Sequence, residues 1–513
     1  MARFYIENFG CRATQADGAA LERQFLERGL ERAAAARDAE IVVLNTCTVT
    51  ADADKDARAS IRRLQRVNPD CRILVTGCYA QRAPEELAAL PGVTWVVGNS
   101  HKHQAAEIAT SSSFPAAGSS SSSGFVPLGQ LSLGQFFKDH LSGNPAASVI
   151  VGDIFAHTEL LAAPVFEAAN ERTRPNLKVQ DGCDNRCSFC VIPYVRGRSR
   201  SLPQECVIAE VRTLVEAGYR EVVISGINLG RWGRDLEGGS KLSAVCSQLK
   251  PTTDDRRLEV LIRAILDRTS LEKLRISSVE PMDWSDELIG LVASSGRIAK
   301  HAHVPMQSAS DSVLRRMHRK YRPWHYQEKI VKIRTAMPTA AIGADVMVGF
   351  PGETEAEFAD TERMIEELPF TYLHVFSYSA RPGTPAAERP GQVPVAVARE
   401  RNRVLREMAS KKKAAFMRSL VGTVVEAITL QSRDAKFTEA LTDNYLKMKI
   451  LGHHETNRWL DVIVEGVNGE FLIGKPVGDP VRESAASESK WSDARQTRAA
   501  RSDPRVHLSK QTN

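Results

Sequence analysis

Short apolar runs alternate with amphipathic helical stretches along the first hundred residues. The apolar runs at residues 4–9, 41–44 and 73–75 are separated by helical patterns at residues 17–31 and 57–66. Strands that alternate with helices predict a parallel α/β sheet, with functional residues at the carboxyl ends of the strands. A cysteine follows each of the three runs within a few residues: Cys11, Cys47 and Cys78.

The same alternation returns in the middle of the chain and predicts a parallel barrel or part of one. Its apolar runs are residues 177–179, 221–224, 274–277, 302–306, 341–348 and 372–376. Residues 238–256 are rich in Gly, Ser, Thr and Asp and interrupt the pattern, so we expect a surface insertion there.

The remaining segments differ in composition. Eight serines between residues 111 and 123 predict a flexible linker. The β-rich pattern of residues 422–475 predicts a small β-barrel. The predicted units are an α/β domain (1–109), a linker and connection (110–170), a partial barrel (171–398), a basic helix (399–418), a β domain (419–480) and a disordered basic tail (481–513).

Composition narrows the class of protein. The chain has 513 residues, enough for about three domains, with 42% hydrophobic and 25% charged residues as in soluble proteins. A net charge of +6 permits a nucleic-acid partner without requiring one. No apolar run is long enough to span a membrane or to form a signal peptide, so we expect a cytoplasmic protein without a membrane partner. Nine cysteines in a reducing compartment are then metal ligands, nucleophiles or core thiols.

Three of these cysteines lie close together directly after a predicted strand. Cys183, Cys187 and Cys190 have the spacing C-x3-C-x2-C. Zinc usually takes paired C-x2-C ligands and a closed set of four, and no fourth ligand stands nearby. Three thiolates suit a 4Fe-4S cube with one iron left open for a substrate or cofactor. A closed zinc site and idle thiols are the alternatives.

This triad at the start of a parallel barrel resembles the radical S-adenosylmethionine (SAM) enzymes. The resemblance implies that the open iron chelates SAM and that an electron from the cluster cleaves the sulfonium to a deoxyadenosyl radical. In such enzymes the cofactor carries the difficult chemistry, and the protein supplies position and exclusion of water. The resemblance also implies an electron donor such as flavodoxin or ferredoxin.

Further motifs narrow the resemblance to methylthiotransferases. They stand at residues 10–12 (GCR), 44–50 (LNTCTVT), 76–81 (TGCYAQ), 189–200, 276–281, 303–311 and 345–353, and residues 442–445 (TDNY) resemble the family's RNA-binding TRAM barrel. The resemblance implies that Cys11, Cys47 and Cys78 hold a second 4Fe-4S cluster that presents sulfur, and that each turnover uses two SAM molecules. The alternative is three unrelated core thiols, because free cysteines are usually buried.

Several polar residues at predicted strand ends match positions where the family contacts SAM. Sites form at strand ends of such barrels, although Gly and Pro there also favour plain turns. The candidate SAM contacts are Ser225, Asn228, Glu280, Gln307, Asp345 and Gly349.

Clustered basic residues and the TRAM-like segment predict an RNA substrate. The candidate RNA contacts are Arg196, Arg198, Arg200, Asn444 and Tyr445. The segments NTCTVT and RGRSR resemble the branch that modifies carbon 2 of threonylcarbamoyl-adenosine in the anticodon loop of tRNA. The alternatives are isopentenyl-adenosine in tRNA, an aspartate of a ribosomal protein, and a non-catalytic iron–sulfur protein that binds RNA.

Overall fold

A computed structural model describes residues 2–111, 147–157, 160, 174–236, 257–432 and 436–477. Most of the serine-rich linker, nearly all of the predicted insertion and the predicted tail lie outside the described residues. Within the described ranges, no helix has the length and apolarity needed to cross a membrane.

The N-terminal part is a parallel sheet of six strands with helices on both faces. Their order in the sheet is β2-β1-β3-β4-β5-β6, and each face buries its own apolar cluster. The strands are β1 (Arg3–Asn8), β2 (Glu31–Arg32), β3 (Ile41–Thr46), β4 (Arg72–Gly77), β5 (Val93–Gly98) and β6 (Ser148–Ile150). The helices are α1 (Arg12–Glu27), α2 (Ala51–Val67), α3 (Cys78–Arg82), α4 (Pro84–Ala88) and α5 (Ala105–Thr110).

Two of these helices begin earlier than their apolar periodicity predicts. The helix expected from residue 17 begins at Arg12, directly after Cys11, and the one expected from residue 57 begins at Ala51. Thr50 caps the second helix by accepting a hydrogen bond from the amide of Ala53. The polar first turns carry no apolar signal, so the periodicity locates only the later turns of each helix.

The central part is a partial barrel whose parallel strands alternate with helices. The strands are β7 (Asn176–Asp181), β8 (Arg200–Ser201), β9 (Glu221–Gly226), β10 (Lys273–Ile276), β11 (His301–His303), β12 (Ala341–Val348) and β13 (Tyr372–Ser377). The helices are α6 (Ile192–Arg196), α7 (Gln204–Glu216), α8 (Leu258–Arg268), α9 (Asp286–Ser294), α10 (Asp311–Arg316), α11 (Pro323–Ala336) and α12 (Glu355–Glu367).

The strands of this barrel form two sheets, β10-β9-β7-β8 and β11-β12-β13. Single backbone bridges, such as Ser278 with His303, join them between β10 and β11. Strand β11 ends at His303, although the apolar run extends to residue 306. Pro305 has no N–H to donate to a neighbouring strand, which ends the regular pairing. The described strands leave the barrel open between β8 and β13.

The N-terminal part spans this opening. On one side, Asn176 of β7 donates to the carbonyl of Arg12 at 3.0 Å. On the other, Arg381, which follows β13, forms a buried ion pair with Asp54 of α2. The Arg381 contact lies beyond the carboxyl ends of β13 and β3, whereas the Asn176 contact lies at the amino end of β7.

The C-terminal part is a long basic helix followed by a closed barrel of five strands. Helix α13 (Val395–Ser419) covers the predicted basic segment. The strands, in the order β14-β15-β16-β18-β17, are β14 (Val424–Thr429), β15 (Phe437–Thr442), β16 (Lys447–Leu451), β17 (Trp459–Asn468) and β18 (Phe471–Pro476). This barrel contacts the amino ends of the central strands, where Lys273 donates to Glu426 at 2.7 Å. The predicted fold class is confirmed, whereas the domain boundaries stay predictions.

Candidate active site

The first cysteine triad lies on the loop between β7 and α6. The amide of Cys190 donates to the carbonyl of Cys187 at 3.1 Å, which closes the loop on itself. Burial, with the other two thiols close by, raises the pKa of Cys190 to about 12, and burial also raises the pKa of Cys183. Such thiols are poor nucleophiles, and a bound metal ion would displace their protons.

Polar side chains donate to the sulfurs of this triad. The amide nitrogen of Asn228 lies 3.6 Å from Cys183 Sγ, and Arg319 Nη1 lies 3.4 Å from Cys187 Sγ. Arg319 also pairs with Glu280. Hydrogen bonds to cluster sulfurs tune their redox potential. Sequence reasoning missed this role of Arg319 because the residue lies in a run of basic residues, and such runs usually form a solvent-exposed face.

The second triad forms where three neighbouring strands end. Cys11 precedes α1, Cys47 follows β3 and Cys78 opens α3. Gly10 has φ +95°, and a Cβ on it would lie 2.4 Å from Cys47 Cβ and 2.7 Å from its Sγ. Burial and the neighbouring thiols of Cys78 and Cys11 raise the pKa of Cys47 to about 12. The structure therefore brings these three cysteines together, as the motifs predict.

Helix α6 adjoins both triads. Cys190 stands just before this helix, and Cys78 packs against Val191, its N-cap residue, and Val195. Asn99 donates to the carbonyl of Val195 at 2.7 Å and lies 3.6 Å from Cys78 Sγ. The two triads therefore lie near the same short helix.

The spacing of the sulfurs tests which metal centre fits. A tetrahedral zinc ion with Zn–S bonds of about 2.3 Å would bring its thiolates to about 3.8 Å from one another. Among the described residues, neither triad is so close: only His303, Asp345 and His374 place three ligand atoms within 4.8 Å of one another. A cube of four irons binds each thiolate on a separate iron and so holds them further apart. Both triads fit a cube better than a single ion.

Unpaired polar atoms surround the first triad. Within the described residues, the side-chain oxygens of Ser225 and Asn228 are buried without a hydrogen-bond partner. The same holds for Oγ of Ser277, a residue that sequence reasoning missed. Buried polar groups usually have partners, so these atoms fit a polar cofactor at the ends of β9 and β10. Gln307 has φ 63°, a strained conformation for this residue type that is common at ligand sites. The SAM contacts of Ser225, Asn228, Glu280 and Gln307 stay predictions.

Asp345 and Gly349 are engaged within the protein. Oδ1 of Asp345 lies 3.1 Å from His303 Nε2 and 3.2 Å from His374 Nδ1. The amide of Gly349 donates to Glu353 at 2.6 Å, so it has no donor left for a cofactor. Its φ of +74° belongs to a turn. The SAM contacts of Asp345 and Gly349 stay predictions.

Arg196 and Arg200 are buried, which corrects their prediction as RNA contacts. Arg196 is 2% exposed, and its guanidinium pairs with Asp181 at 2.9 and 3.0 Å and with Asp17 at 3.0 Å. Arg200 is 9% exposed and lies 3.9 Å from Asp181. A buried, paired guanidinium cannot reach a phosphate. Only Arg198 of this segment is exposed, and its RNA contact stays a prediction.

Asn444 and Tyr445 also face the protein rather than solvent. Asn444 is 1% exposed and donates to the carbonyl of Thr339 at 3.1 Å. Tyr445 accepts from Arg12 at 2.9 Å, and the guanidinium groups of Arg12, Arg174 and Arg275 lie 5.3–5.9 Å from its ring centre. The two residues fasten the C-terminal barrel to the floor of the central one. Asn444 is buried, whereas Tyr445 is partly exposed and its RNA contact stays a prediction.

Two family models match the chain. The Radical SAM superfamily matches residues 177–365, and an uncharacterised family, UPF0004, matches residues 3–98. The central barrel with its cysteine triad is therefore that of a radical SAM enzyme, and the second triad lies in the UPF0004 part.

Curated relatives define the family more closely. The threonylcarbamoyladenosine tRNA methylthiotransferase MtaB of Bacillus subtilis is 35% identical over 88% of this chain and 91% of its own length. The MtaB protein of Aquifex aeolicus is 32% identical over 90% and 99%. A tRNA-2-methylthio-N(6)-dimethylallyladenosine synthase of Novosphingobium aromaticivorans is 32% identical over 83% and 86%. This chain belongs to the radical SAM methylthiotransferase family.

Among solved structures, the radical SAM methyltransferase TsrM of Kitasatospora setae is 15% identical with a TM-score of 0.49, over 75% of both chains. Family membership confirms the predicted cofactors, because radical SAM enzymes use SAM with a 4Fe-4S cluster and methylthiotransferases of this type carry a second cluster. Which residues of this chain bind those groups stays a prediction.

Proposed function

We propose that this protein methylthiolates carbon 2 of N6-threonylcarbamoyladenosine beside the anticodon of tRNA. The observation that carries the proposal is the position of the two cysteine triads, both of which adjoin α6: Cys190 precedes this helix and Cys78 packs against its Val195. A group bound beside this helix would lie near both triads. The named activity of the relatives from Bacillus subtilis and Aquifex aeolicus supports the choice of nucleoside.

The chemistry explains why two sites are needed. Carbon 2 of adenine carries a hydrogen that is not acidic, so an acid–base pair cannot replace it with sulfur. When bound, SAM and its cluster supply a radical that abstracts such a hydrogen, and the second cluster supplies the sulfur. Cys183, Cys187 and Cys190 would hold the first cluster, and Cys11, Cys47 and Cys78 the second.

The residues around the triads position and protect these groups. Asn228 and Arg319 donate to the sulfurs of the first triad, and Asn99 donates to the second. Val191 and Val195 cover Cys78 with apolar surface. Cys47 and Cys78 are buried, the three cysteines of the first triad are partly buried, and Cys11 is exposed. Fixed hydrogen-bond donors to the sulfurs are what a redox centre of this type needs.

An exposed aromatic pair near the first triad suits RNA. Phe155 and Tyr194 meet edge to face with ring centres 6.4 Å apart, and both rings are more than one third exposed. Arg186, between the first two cysteines of the triad, lies over the Phe155 ring at 5.9 Å. Aromatic and guanidinium faces stack unpaired bases, which an anticodon loop offers. Arg198, on the segment between α6 and β8, would add a phosphate contact.

The proposal includes the partners that the reaction needs. The tRNA substrate would be met in the cytoplasm, and a small reductant such as flavodoxin or ferredoxin would supply the electron. The alternative of a non-catalytic RNA-binding protein leaves the unpaired oxygens of Ser225 and Asn228 and the open three-cysteine site without a purpose.

Nucleoside mass spectrometry of tRNA from a strain that lacks this protein tests the proposal. We expect methylthio-threonylcarbamoyl-adenosine to disappear, and to return on expression of the wild type or of the Cys71→Ser variant. Cys71 is a buried free cysteine outside both triads and serves as the matched control for Cys190→Ala, which should not restore the product. A normal level of this nucleoside in the deletion strain, with the methylthio-isopentenyl product missing instead, would overturn the assignment.

A further inference from the structure

A chain of hydrogen bonds crosses the wall of the barrel formed by β11, β12 and β13. His301 Nε2 lies 2.7 Å from the Tyr372 hydroxyl, which lies 3.0 Å from His303 Nδ1. His303 Nε2 and His374 Nδ1 then share Asp345 Oδ1 at 3.1 and 3.2 Å. The five side chains connect three neighbouring strands from the buried floor to an exposed imidazole.

These side chains point into the barrel. Their neighbours along the strands, Ala302, Ala344 and Val375, belong to the apolar core that packs against the outer helices. Because successive side chains of a strand face opposite sides, the polar set lines the interior. The backbone of Asp345 also accepts from the amide of Gln307 at 2.8 Å, so this wall adjoins a predicted SAM contact.

The protons in this chain can be assigned. Burial alone would raise the pKa of Asp345, but hydrogen bonds from His303 and His374 hold it below its usual range, so the carboxylate only accepts. Burial and the charge of Arg275 hold the pKa of His301 well below its usual range, so that ring is neutral. His303 Nε2 and His374 Nδ1 then carry the protons that Asp345 accepts.

His374 faces the interior with one ring nitrogen engaged. Its side chain is 53% exposed, and its Nδ1 lies 3.2 Å from Asp345 Oδ1, which leaves Nε2 for a further hydrogen bond. The Tyr372 and His303 rings lie 5.8 Å apart, and both lie about 5.2 Å from the His374 ring, which fixes its orientation. The wall therefore presents an oriented imidazole nitrogen beside a carboxylate.

We propose that His374, oriented by Asp345, is a specificity-determining residue that forms a hydrogen bond with the threonylcarbamoyl group of the substrate. This inference rests on the proposed function and names the part of the site that selects the nucleoside. The threonylcarbamoyl group offers amide N–H and hydroxyl donors, whereas an isopentenyl group offers only hydrocarbon beyond its N6–H. A site built to hydrogen-bond one substrate rejects an analogue that leaves its polar groups unpaired.

The test compares two anticodon stem-loop RNAs, one with threonylcarbamoyl-adenosine and one with isopentenyl-adenosine. His374→Phe keeps an aromatic ring and removes both nitrogens, His374→Gln keeps an acceptor, and His325→Phe makes the same change on an exposed position of α11. Binding of each RNA to cluster-loaded protein and kcat/KM for each are measured. Deoxyadenosine formation without RNA reports whether the SAM site is intact.

We expect His374→Phe to lose about 10- to 100-fold in kcat/KM and in affinity for the threonylcarbamoyl RNA, the effect of one lost hydrogen bond to a buried group. His374→Gln should recover part of the loss, and deoxyadenosine formation without RNA should not change. Equal selectivity of His374→Phe and His325→Phe overturns this inference while the proposed function stands. Wild-type protein that converts only the isopentenyl RNA overturns the proposed function itself.

Discussion

The buried charge network between the N-terminal sheet and the central barrel gives the sharpest prediction of stability. Asp17 of α1 is 1% exposed and accepts from Lys102 at 2.9 Å, from Arg196 at 3.0 Å and from Lys178. Burial would raise the pKa of this carboxyl, but the three cations outweigh it and hold the pKa below its usual range. The perturbation is Asp17→Asn, which keeps the shape and removes the charge.

The magnitude follows from what the change leaves behind. Three buried cations lose their shared carboxylate, and removing one partner of a buried ion pair costs about 3–5 kcal/mol. The matched control is Asp52→Asn, because Asp52 pairs with Lys55 at 3.1 Å while its side chain is 84% exposed. Exposed pairs contribute about 0–1 kcal/mol. The loss in unfolding free energy should therefore be about 3 kcal/mol greater for Asp17→Asn than for Asp52→Asn.

Urea unfolding of identically prepared, cluster-loaded proteins measures this difference, provided that the slopes agree. A carboxyl with a lowered pKa contributes stability above its unfolded pKa of about 3.9 and loses it as the pH falls through the folded pKa. The difference in unfolding free energy between the two variants should therefore be constant between about pH 8 and pH 5. The reasoning would be refuted if their unfolding free energies agreed within about 0.5 kcal/mol, or if the difference vanished by about pH 5.

Three further predictions concern the second triad, the RNA surface and the floor. Gly10→Ala places a Cβ against Cys47 and should lower the iron content from about eight to about four per chain. The control Gly29→Ala, whose new Cβ has no atom within 4 Å, should keep about eight irons, and equal iron contents in the two variants would contradict the prediction. Arg198→Ala should reduce the salt dependence of tRNA binding by about one unit of log–log slope, and an unchanged slope would exclude a phosphate contact. Tyr445→Ala should speed proteolytic release of the C-terminal barrel, whereas Tyr445→Phe, which loses only the 2.9 Å hydrogen bond to Arg12, should not. Equal release rates for the two variants would show that the ring does not hold the barrel.

The sequence predicts the parts of the site that local signals carry. Cys11, Cys47 and Cys78 follow apolar strands, and parallel strands bring their ends to one edge, so three distant cysteines meet without any tertiary information. The spacing of Cys183, Cys187 and Cys190 lies within one loop and needs none. The fold class follows from the same alternation of strands and helices.

The sequence does not predict the role of a side chain whose partner is distant along the chain. Arg196 stands in a basic run that reads as a solvated surface, but Asp17, which pairs with it in the interior, is 179 residues away. His374 matches no motif and gains its role from the register of β12 and β13, which places it beside Asp345. Tyr445 lies in a motif that resembles an RNA-binding module, yet three guanidinium groups from other segments hold its ring.

The central claim is that two clusters near one short helix methylthiolate threonylcarbamoyl-adenosine. The most direct measurement incubates anaerobically reconstituted protein with SAM, a reductant and an anticodon stem-loop that carries this nucleoside, and then analyses the digested RNA and the spent cofactor by mass spectrometry. We predict the 2-methylthio product together with equal amounts of S-adenosylhomocysteine and deoxyadenosine, which report the methylation and the radical step. RNA that binds but stays unmodified, with no deoxyadenosine formed by fully reconstituted protein, would contradict the account.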